Sequence, residues 1–215
     1  TSDRSPSSQA KYQSGVFLRA SGEEVLFHLE NAVDNVIHEF VQNPNAEIRS
    51  ESPALVGLID ALEGLLFHGF LEDGVDFWGW ARTVKDLLPS LPSVAVMVDV
   101  VNQLPVVPNV QDETVGCDGE NDGNGRGKND TSANGKGGHR LTTSYRCRSW
   151  LAISLNYSLL HKQMRTLLND ADHTAKVYAP EAAVRQKEAE VLALLAGLNG
   201  VTFSPSLPLP RSPAR

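Results

Sequence analysis

Residues 52–69 read Ser-Pro-Ala-Leu-Val-Gly-Leu-Ile-Asp-Ala-Leu-Glu-Gly-Leu-Leu-Phe-His-Gly and carry helix signals at both ends. Ser52 is a good N-cap, Pro53 suits the first helical position, and Gly69 suits the left-handed residue that follows a helix. Between these ends, six apolar side chains recur at steps of three and four residues: Leu55, Leu58, Ile59, Leu62, Leu65 and Leu66. Because each contributes roughly 1.5–3 kcal/mol when fully buried, this stretch is predicted to be the central core helix.

The segment before this helix shows the same apolar period. Ser21 and Glu24 have the spacing of a capping box, in which each side chain satisfies the other residue's backbone donor. An apolar stripe then continues to Val41, and Asn43-Pro44-Asn45 ends it. Since the connector to Ser52 is short, the two helices are predicted to be antiparallel or steeply crossed neighbours.

The later helices have less regular patterns. One is expected from Asp76 to Leu88, with Phe77 and Trp78 inward and Trp80 on a different side, facing solvent. Residues 93–104 are rich in Val, which favours a strand, but no partner strand is evident, so a helix is predicted there. Further helices are predicted from Thr143 or Ser144 to Asn156, over Leu159 to Asn169, and from Pro180 onward.

Composition divides the chain into one helical domain, polar flanks and an insertion. Residues 1–20 are predicted to be disordered or flanking, and residues 204–215 form a Pro/Ser tail. Residues 105–140 are rich in Gly, Asn and Asp and are predicted to be a long mobile loop. The domain at 21–203 is predicted to be a single all-α unit of about seven or eight helices, without a sheet.

The overall totals exclude several classes of protein. The net charge of -7 argues against nucleic-acid binding, which usually needs a strongly basic face. No apolar run approaches the roughly 18 residues of a membrane-spanning helix, so no direct membrane insertion is expected. The chain begins with Thr and shows no signal-peptide pattern, so we expect a piece of a longer cytoplasmic protein. For Cys117 and Cys147, reduced thiols are preferred over a disulfide between them.

Candidate catalytic and cofactor motifs fail at their defining positions. The Gly-Lys pairs at 127–128 and 135–136 lack both the Gly five positions earlier and the following Ser or Thr of a phosphate-binding loop. His38-Glu39 begins a zinc-protease pattern, but Gln42 stands where the second His is required. His68 is interpreted as a helix-end residue bonded to backbone rather than a metal ligand. No cofactor, metal or catalytic residue is therefore expected, and an enzyme is the remote alternative.

Charge is distributed unevenly along the chain. The first two predicted helices carry seven acidic residues and no Lys or Arg. The segment after the insertion is basic, with Arg140, Arg146, Arg148, Lys162 and Arg165. These charges are either solvated helix faces or a basic surface that steers an acidic partner. Composition by itself favours the solvated faces.

Four sequence blocks resemble those of RUN domains. The first is residues 62–70, Leu-Glu-Gly-Leu-Leu-Phe-His-Gly-Phe, and the second is residues 148–156, Arg-Ser-Trp-Leu-Ala-Ile-Ser-Leu-Asn, followed by Leu159-Leu160. An Ala-Val pair at 32–33 and a closing segment from Tyr178 to Phe203 are also similar to the family. The blocks occur in the family's order, while the insertion is longer and richer in Gly than the family pattern.

The resemblance implies a non-catalytic protein-interaction module within a larger adaptor or regulator. RUN domains commonly bind small GTPases of the Rab, Rap or Arf-like groups, act in endosome or lysosome transport, and sometimes link to motor or adaptor proteins. The resemblance thus implies a cytoplasmic effector recruited peripherally to endosomal, lysosomal or other vesicle membranes. The alternative is a structural or self-associating helical domain that makes intramolecular or adaptor contacts without any GTPase.

The same resemblance implies a partner-binding surface made of basic residues. Its predicted members, which would pair with acidic switch-region residues of a GTP-bound GTPase, are Arg82, Lys85, Arg146, Arg148, Lys162 and Arg165. Arg82 and Lys85 stand three residues apart on one predicted helix and so share a face. For Arg148 the alternative is a structural salt bridge to the acidic helices, whose loss would unfold the domain rather than release a partner.

Overall fold

The structure is a computed structural model that describes residues 20–71, 77–104 and 135–205. Within these residues the chain is mainly helical, which confirms the predicted all-α fold. The helices are α1 (Gly22–Gln42), α2 (Pro53–Phe67), α3 (Phe77–Ala81), α4 (Val84–Leu87), α5 (Pro92–Gln103), α6 (Gly135–Asn156), α7 (Leu160–Asn169), α8 (Ala171–Ala175), α9 (Ala183–Gln186) and α10 (Glu188–Gly197). The predictions for residues 1–19, 105–134 and 206–215, and those for Asp76 and Cys117, fall outside the described residues.

Two short parallel strands join the α1–α2 connector to the segment that follows α10. β1 (Ile48–Arg49) pairs with β2 (Phe203–Ser204), with Ile48 opposite Phe203 and Arg49 opposite Ser204. Ile48 and Phe203 are buried, whereas Arg49 and Ser204 are exposed. The prediction of a domain without a sheet misses this pair, because two residues are too few to show a strand period.

Helix α2 lies in the core, as predicted, and its six apolar positions are all at most 9% exposed. Ser52 Oγ accepts a hydrogen bond from the Leu55 amide at 3.4 Å and donates one to Glu39 Oε2 on α1 at 2.6 Å. The two helices pack against each other, as their short connector predicts. Beyond the other end, Gly69 has φ +71°, and a Cβ there would lie 2.6 Å from Ala182 Cβ. Both its conformation and its surroundings therefore require Gly.

The N-terminus of α1 is fixed by side-chain caps. Glu24 N–H donates to Ser21 Oγ at 3.2 Å and Ser21 N–H donates to Glu24 Oε2 at 2.7 Å, which confirms the predicted capping box. His68 Nδ1 accepts from Ala183 N–H at 3.0 Å, so Nε2 carries the proton and donates to the Ala20 carbonyl at 3.1 Å. The interpretation of His68 as a backbone-bonded residue is confirmed, and it joins the ends of α1, α2 and α9.

An aromatic cluster fills the core beside α3. Its fully buried members are Phe77, Trp80, Trp150 and Tyr178. The rings of Trp80 and Tyr178 meet edge to face, with centroids 5.2 Å apart and an interplanar angle of 82°. The prediction that Trp80 faces solvent is wrong. The five-residue helix α3 is covered on both sides, since Trp78 Nε1 also donates to Asn102 on α5 at 2.8 Å.

Two predicted helices are each broken into two. The helix expected from Asp76 to Leu88 is interrupted at Arg82-Thr83, between α3 and α4. The helix expected from Pro180 onward begins only at Ala183 and is interrupted at Lys187, whose φ of -119° and ψ of 28° are not helical. At the first break Thr83 Oγ1 donates to the Trp80 carbonyl at 2.7 Å, and such a local side-chain bond competes with continuation of the helix.

Helices α5 and α6 lie on either side of the insertion, and one of them differs from its predicted extent. The helix expected over residues 93–104 is confirmed by α5, although the Val content of this segment favours a strand. α6 begins at Gly135, before the cap expected at Thr143 or Ser144, so its first turns fall in sequence predicted to be a loop.

Candidate functional site

Helix α7 presents a basic outer face. Its inward positions, which are buried, are Leu160, Gln163, Met164, Leu167 and Leu168. Lys162 and Arg165 are exposed and stand three residues apart, so they are neighbours on one face of the helix. Because α7 contains no Asp or Glu, neither cation has an acidic neighbour within the helix.

Two more of the predicted cations lie at α4, which packs against α7. Lys85 within α4 is exposed, next to the exposed Asp86, and Arg82 is exposed in the turn between α3 and α4. That turn is held by the Arg82 N–H, which donates to the Trp78 carbonyl at 3.0 Å. Below, the α4–α7 basic surface means Arg82, Lys85, Lys162 and Arg165. In the part of the chain that the structure describes, none of the four forms an ion pair.

A buried polar contact positions α7. Ser154 Oγ on α6 donates to Gln163 Oε1 at 2.9 Å and lies 3.3 Å from Met97 Sδ on α5, and Gln163 Nε2 lies 3.4 Å from the same sulfur. A buried amide left without partners costs about 1–3 kcal/mol, so this contact disfavours rotation of α7. It thereby sets the direction of Lys162 and Arg165. The sequence prediction did not include Gln163. A polar residue at a position where the helical period predicts an apolar one could have indicated a buried polar contact there.

Arg148 lies in a different environment, facing α2. Its Nη1 donates to Asp60 Oδ1 at 2.6 Å and to Glu63 Oε2 at 2.7 Å. The arginine side chain is 24% exposed, and those of Asp60 and Glu63 are 40% and 19% exposed. Burial by itself would lower the pKa of Arg148, but its hydrogen bonds to the two carboxylates outweigh burial and raise that pKa. This is the salt bridge to the acidic helices that was the alternative prediction for Arg148.

Arg146 and Cys147, the two residues before Arg148 on α6, each have an environment unlike that of Arg148. Arg146 is half-buried and forms no ion pair with any residue that the structure describes. Cys147 is a free, fully buried thiol, and burial raises its pKa well above the ordinary value. A buried thiol that keeps its proton is a poor nucleophile and a poor metal ligand.

The same three described ranges offer little for metal binding or for membrane insertion. They contain no group of three or more His, Cys, Asp or Glu side chains placed to hold a metal ion. None of their helices is both long and apolar enough to cross a bilayer. The described surface does offer four exposed cations, on α7, on α4 and in the turn before α4, whereas Arg148 is bonded to two carboxylates of α2.

Comparison with known proteins identifies the family. Residues 50–209, well over half of the chain, match the family model described as RUN domain. The match begins just before α2 and does not include α1. No curated protein sequence matches the chain. RUN domains are protein-interaction modules, often linked to small-GTPase binding. The chain belongs to the RUN domain family.

Proposed function

We propose that this domain is a non-catalytic effector module that binds a GTP-loaded small GTPase of the Rab, Rap or Arf-like group. It belongs to a larger cytoplasmic adaptor or regulator that this GTPase recruits to endosomal, lysosomal or other vesicle membranes. Motor or adaptor proteins are further partners of the same assembly. Membership of a family of interaction modules supports the class of function, and surface charge supports the class of partner.

The observation that carries the proposal is the α4–α7 basic surface on a chain of net charge -7. Its cations are exposed on packed neighbours, and Lys162 and Arg165 have no acidic residue within their helix. An acidic switch-region surface is attracted to such a site from a distance and is oriented as it approaches. Exposed charges of this kind act mainly on the association rate and on its dependence on salt.

Arg146 and Arg148, both on α6, have different parts in the proposal. Arg146 forms no ion pair within the described residues and stays in the proposed binding set. Arg148 already binds Asp60 and Glu63, so a partner's carboxylate would have to compete with two formed contacts. We therefore assign Arg148 to holding α6 against α2.

The test is calorimetric titration of the domain with a panel of Rab, Rap and Arf-like GTPases, each loaded with a GTP analogue and with GDP. The binding variant is Lys162→Glu with Arg165→Glu. The control is Arg49→Glu on β1 with Lys176→Glu after α8, two exposed cations outside the basic surface. Each double variant lowers the net charge by four, because two residues each change from +1 to -1.

We expect selective binding of one GTP-loaded GTPase, a loss of about tenfold or more in the binding variant, and less than about twofold in the control. Circular dichroism before titration establishes that every variant is folded. Two results would contradict the proposal: no binding by the folded domain in either nucleotide state, or equal losses in both double variants.

A second candidate function is self-association, which the outer side of α5 favours. Val96 is 61% exposed, and Val100, one turn later, is 37% exposed. Two apolar side chains four residues apart form a continuous strip on a helix. Sedimentation velocity distinguishes this function: a wild-type dimer that becomes a monomer in Val96→Asp supports it, and a wild-type monomer at high concentration contradicts it.

A further inference from the structure

Two Ser-Pro dipeptides in the described residues have different environments. Ser52 caps α2, and its hydroxyl contacts both Glu39 Oε2 and the Leu55 amide. Ser204, in β2, is exposed, and its hydroxyl has no hydrogen-bond partner in the described ranges. The hydroxyl of Ser52 is therefore engaged in the fold, whereas that of Ser204 is available for reaction.

The backbone at Ser204 also suits modification. The residue lies in an extended strand, and the following Pro205 disfavours a helical conformation for the residue before it. Pro205 has no N–H, so it cannot donate a further hydrogen bond to β1. An exposed serine in extended backbone, followed directly by Pro, is what a proline-directed Ser/Thr kinase recognises.

Arg49 stands directly opposite Ser204 in the parallel pair, and both are on the exposed face. Paired strands lie about 4.8 Å apart, well within the reach of an arginine side chain. Arg49 forms no ion pair in the described part of the chain. The exposed Glu47 and Glu51 flank it along the chain and weaken its field without bonding to it. A guanidinium can bind a phosphate through two parallel hydrogen bonds.

We propose that Ser204 is a phosphorylation site for a proline-directed Ser/Thr kinase and that Arg49 binds the resulting phosphate. In the reaction Ser204 Oγ attacks the γ-phosphorus of ATP held by the kinase. The bond from the γ-phosphorus to the bridging oxygen breaks, ADP leaves, and the hydroxyl proton passes to the kinase's catalytic carboxylate. The product carries about -1.5 to -2 charge opposite Arg49.

The phosphate would act on the pairing of β1 with β2. Ile48 N–H donates to the Thr202 carbonyl at 2.9 Å, and this bond reports directly on whether the pair is closed. A phosphate held by Arg49 links the two strands through their side chains as well. Phosphorylation would thus stabilise the β1–β2 pair, independently of any GTPase.

The first experiment maps phosphorylation on the folded chain carrying Ser5→Ala and Ser212→Ala, which leaves Ser52 and Ser204 as its Ser-Pro sites. Because Leu207 stands three residues after Ser204, the purified kinase is one that requires only the Pro. Mass spectrometry is expected to find phosphate on Ser204 and none on Ser52. If a peptide with the Ser204 sequence is phosphorylated while the folded chain is not, the site is refuted.

The second experiment compares hydrogen exchange at the Ile48 amide before and after phosphorylation. We expect exchange to slow about fivefold in the wild type and to stay unchanged in Arg49→Gln. Ser204→Ala treated with the same kinase is the control for phosphate elsewhere. Equal slowing with and without Arg49, or no slowing in the wild type, would overturn the assignment of Arg49 as the phosphate ligand.

Discussion

Replacing Arg148 by Met tests the ion-pair cluster that joins α6 to α2. The change removes two charge-assisted hydrogen bonds, at 2.6 Å to Asp60 and 2.7 Å to Glu63, and keeps the aliphatic volume. Hydrogen bonds to charged groups are worth about 1.5–3 kcal/mol each. Because Asp60 is 40% exposed, solvent screening reduces its share. The two carboxylates, three residues apart on α2, then repel each other by roughly 0.2–0.5 kcal/mol. We expect a total loss of about 2–3 kcal/mol.

The assay is urea unfolding followed by far-ultraviolet circular dichroism. With a urea dependence of roughly 2–3 kcal/mol per molar, the midpoint should fall by about 1 M. The control is Arg146→Met, two residues earlier on the same helix, at a half-buried arginine without an ion pair in the described residues. It should change the free energy of unfolding by less than about 1 kcal/mol.

A clear result would refute this reasoning. If Arg148→Met has wild-type stability to within about 0.5 kcal/mol and loses GTPase binding, Arg148 is a partner-binding residue and the cluster is incidental. If it is destabilised but still binds the GTPase at a temperature where it is folded, the structural role stands.

Four further predictions concern stability and use the same urea assay. Gly69→Ala should destabilise by about 3 kcal/mol or more, because its Cβ would meet Ala182 and its φ is positive. Gly57→Ala, at an exposed position of α2 where a Cβ meets nothing, should stabilise by about 0.5–1 kcal/mol. Ser158→Gly should stabilise by roughly 0.5–1 kcal/mol, because Ser158 has φ 52°; an unchanged midpoint would contradict this. Above about pH 9 the unfolded Cys147 thiol ionises while its raised pKa keeps the folded thiol protonated. Stability should therefore fall with rising pH by up to about 1.4 kcal/mol per unit, and Cys147→Ala should lack that part of the slope.

The core helix was predictable because several local signals agree on it. Ser52 marks its start, Pro53 fits its first turn, Gly69 marks its end, and the apolar period between them matches one helical face. Each signal acts within about one turn of its own residue, so neighbouring sequence is sufficient to read it.

The features that were missed depend on distant neighbours. Trp80 is buried because Tyr178, far along the chain, covers it. The β1–β2 pair forms because Phe203 packs into the core beside Ile48, and two-residue strands have no period of their own. Such contacts are tertiary, and local propensity does not encode them.

In the predicted site, too, some features follow from local sequence and others depend on contacts between distant residues. Exposure of Lys162 and Arg165 follows from the amphipathic period of α7, so the sequence could indicate it. The partner of Arg148 could not be chosen in that way, because Asp60 lies 88 residues earlier in the chain. Charge patterning therefore identified which segments are basic, and only the fold distinguished a paired cation from exposed ones.

That distinction separates stability from binding in this domain. Arg148 is neutralised inside the fold by Asp60 and Glu63, so its contribution is present whether or not a partner is bound. Lys162 and Arg165 have no such contacts in the described residues, and their mutual repulsion opposes folding slightly. Under the proposed function, an acidic partner would relieve that repulsion and would form new ion pairs only on association. Substitutions of Lys162 and Arg165 should therefore change affinity, and substitutions of Arg148 should change the free energy of unfolding. A single variant that changed both quantities would place Arg148 and the two cations of α7 in one surface.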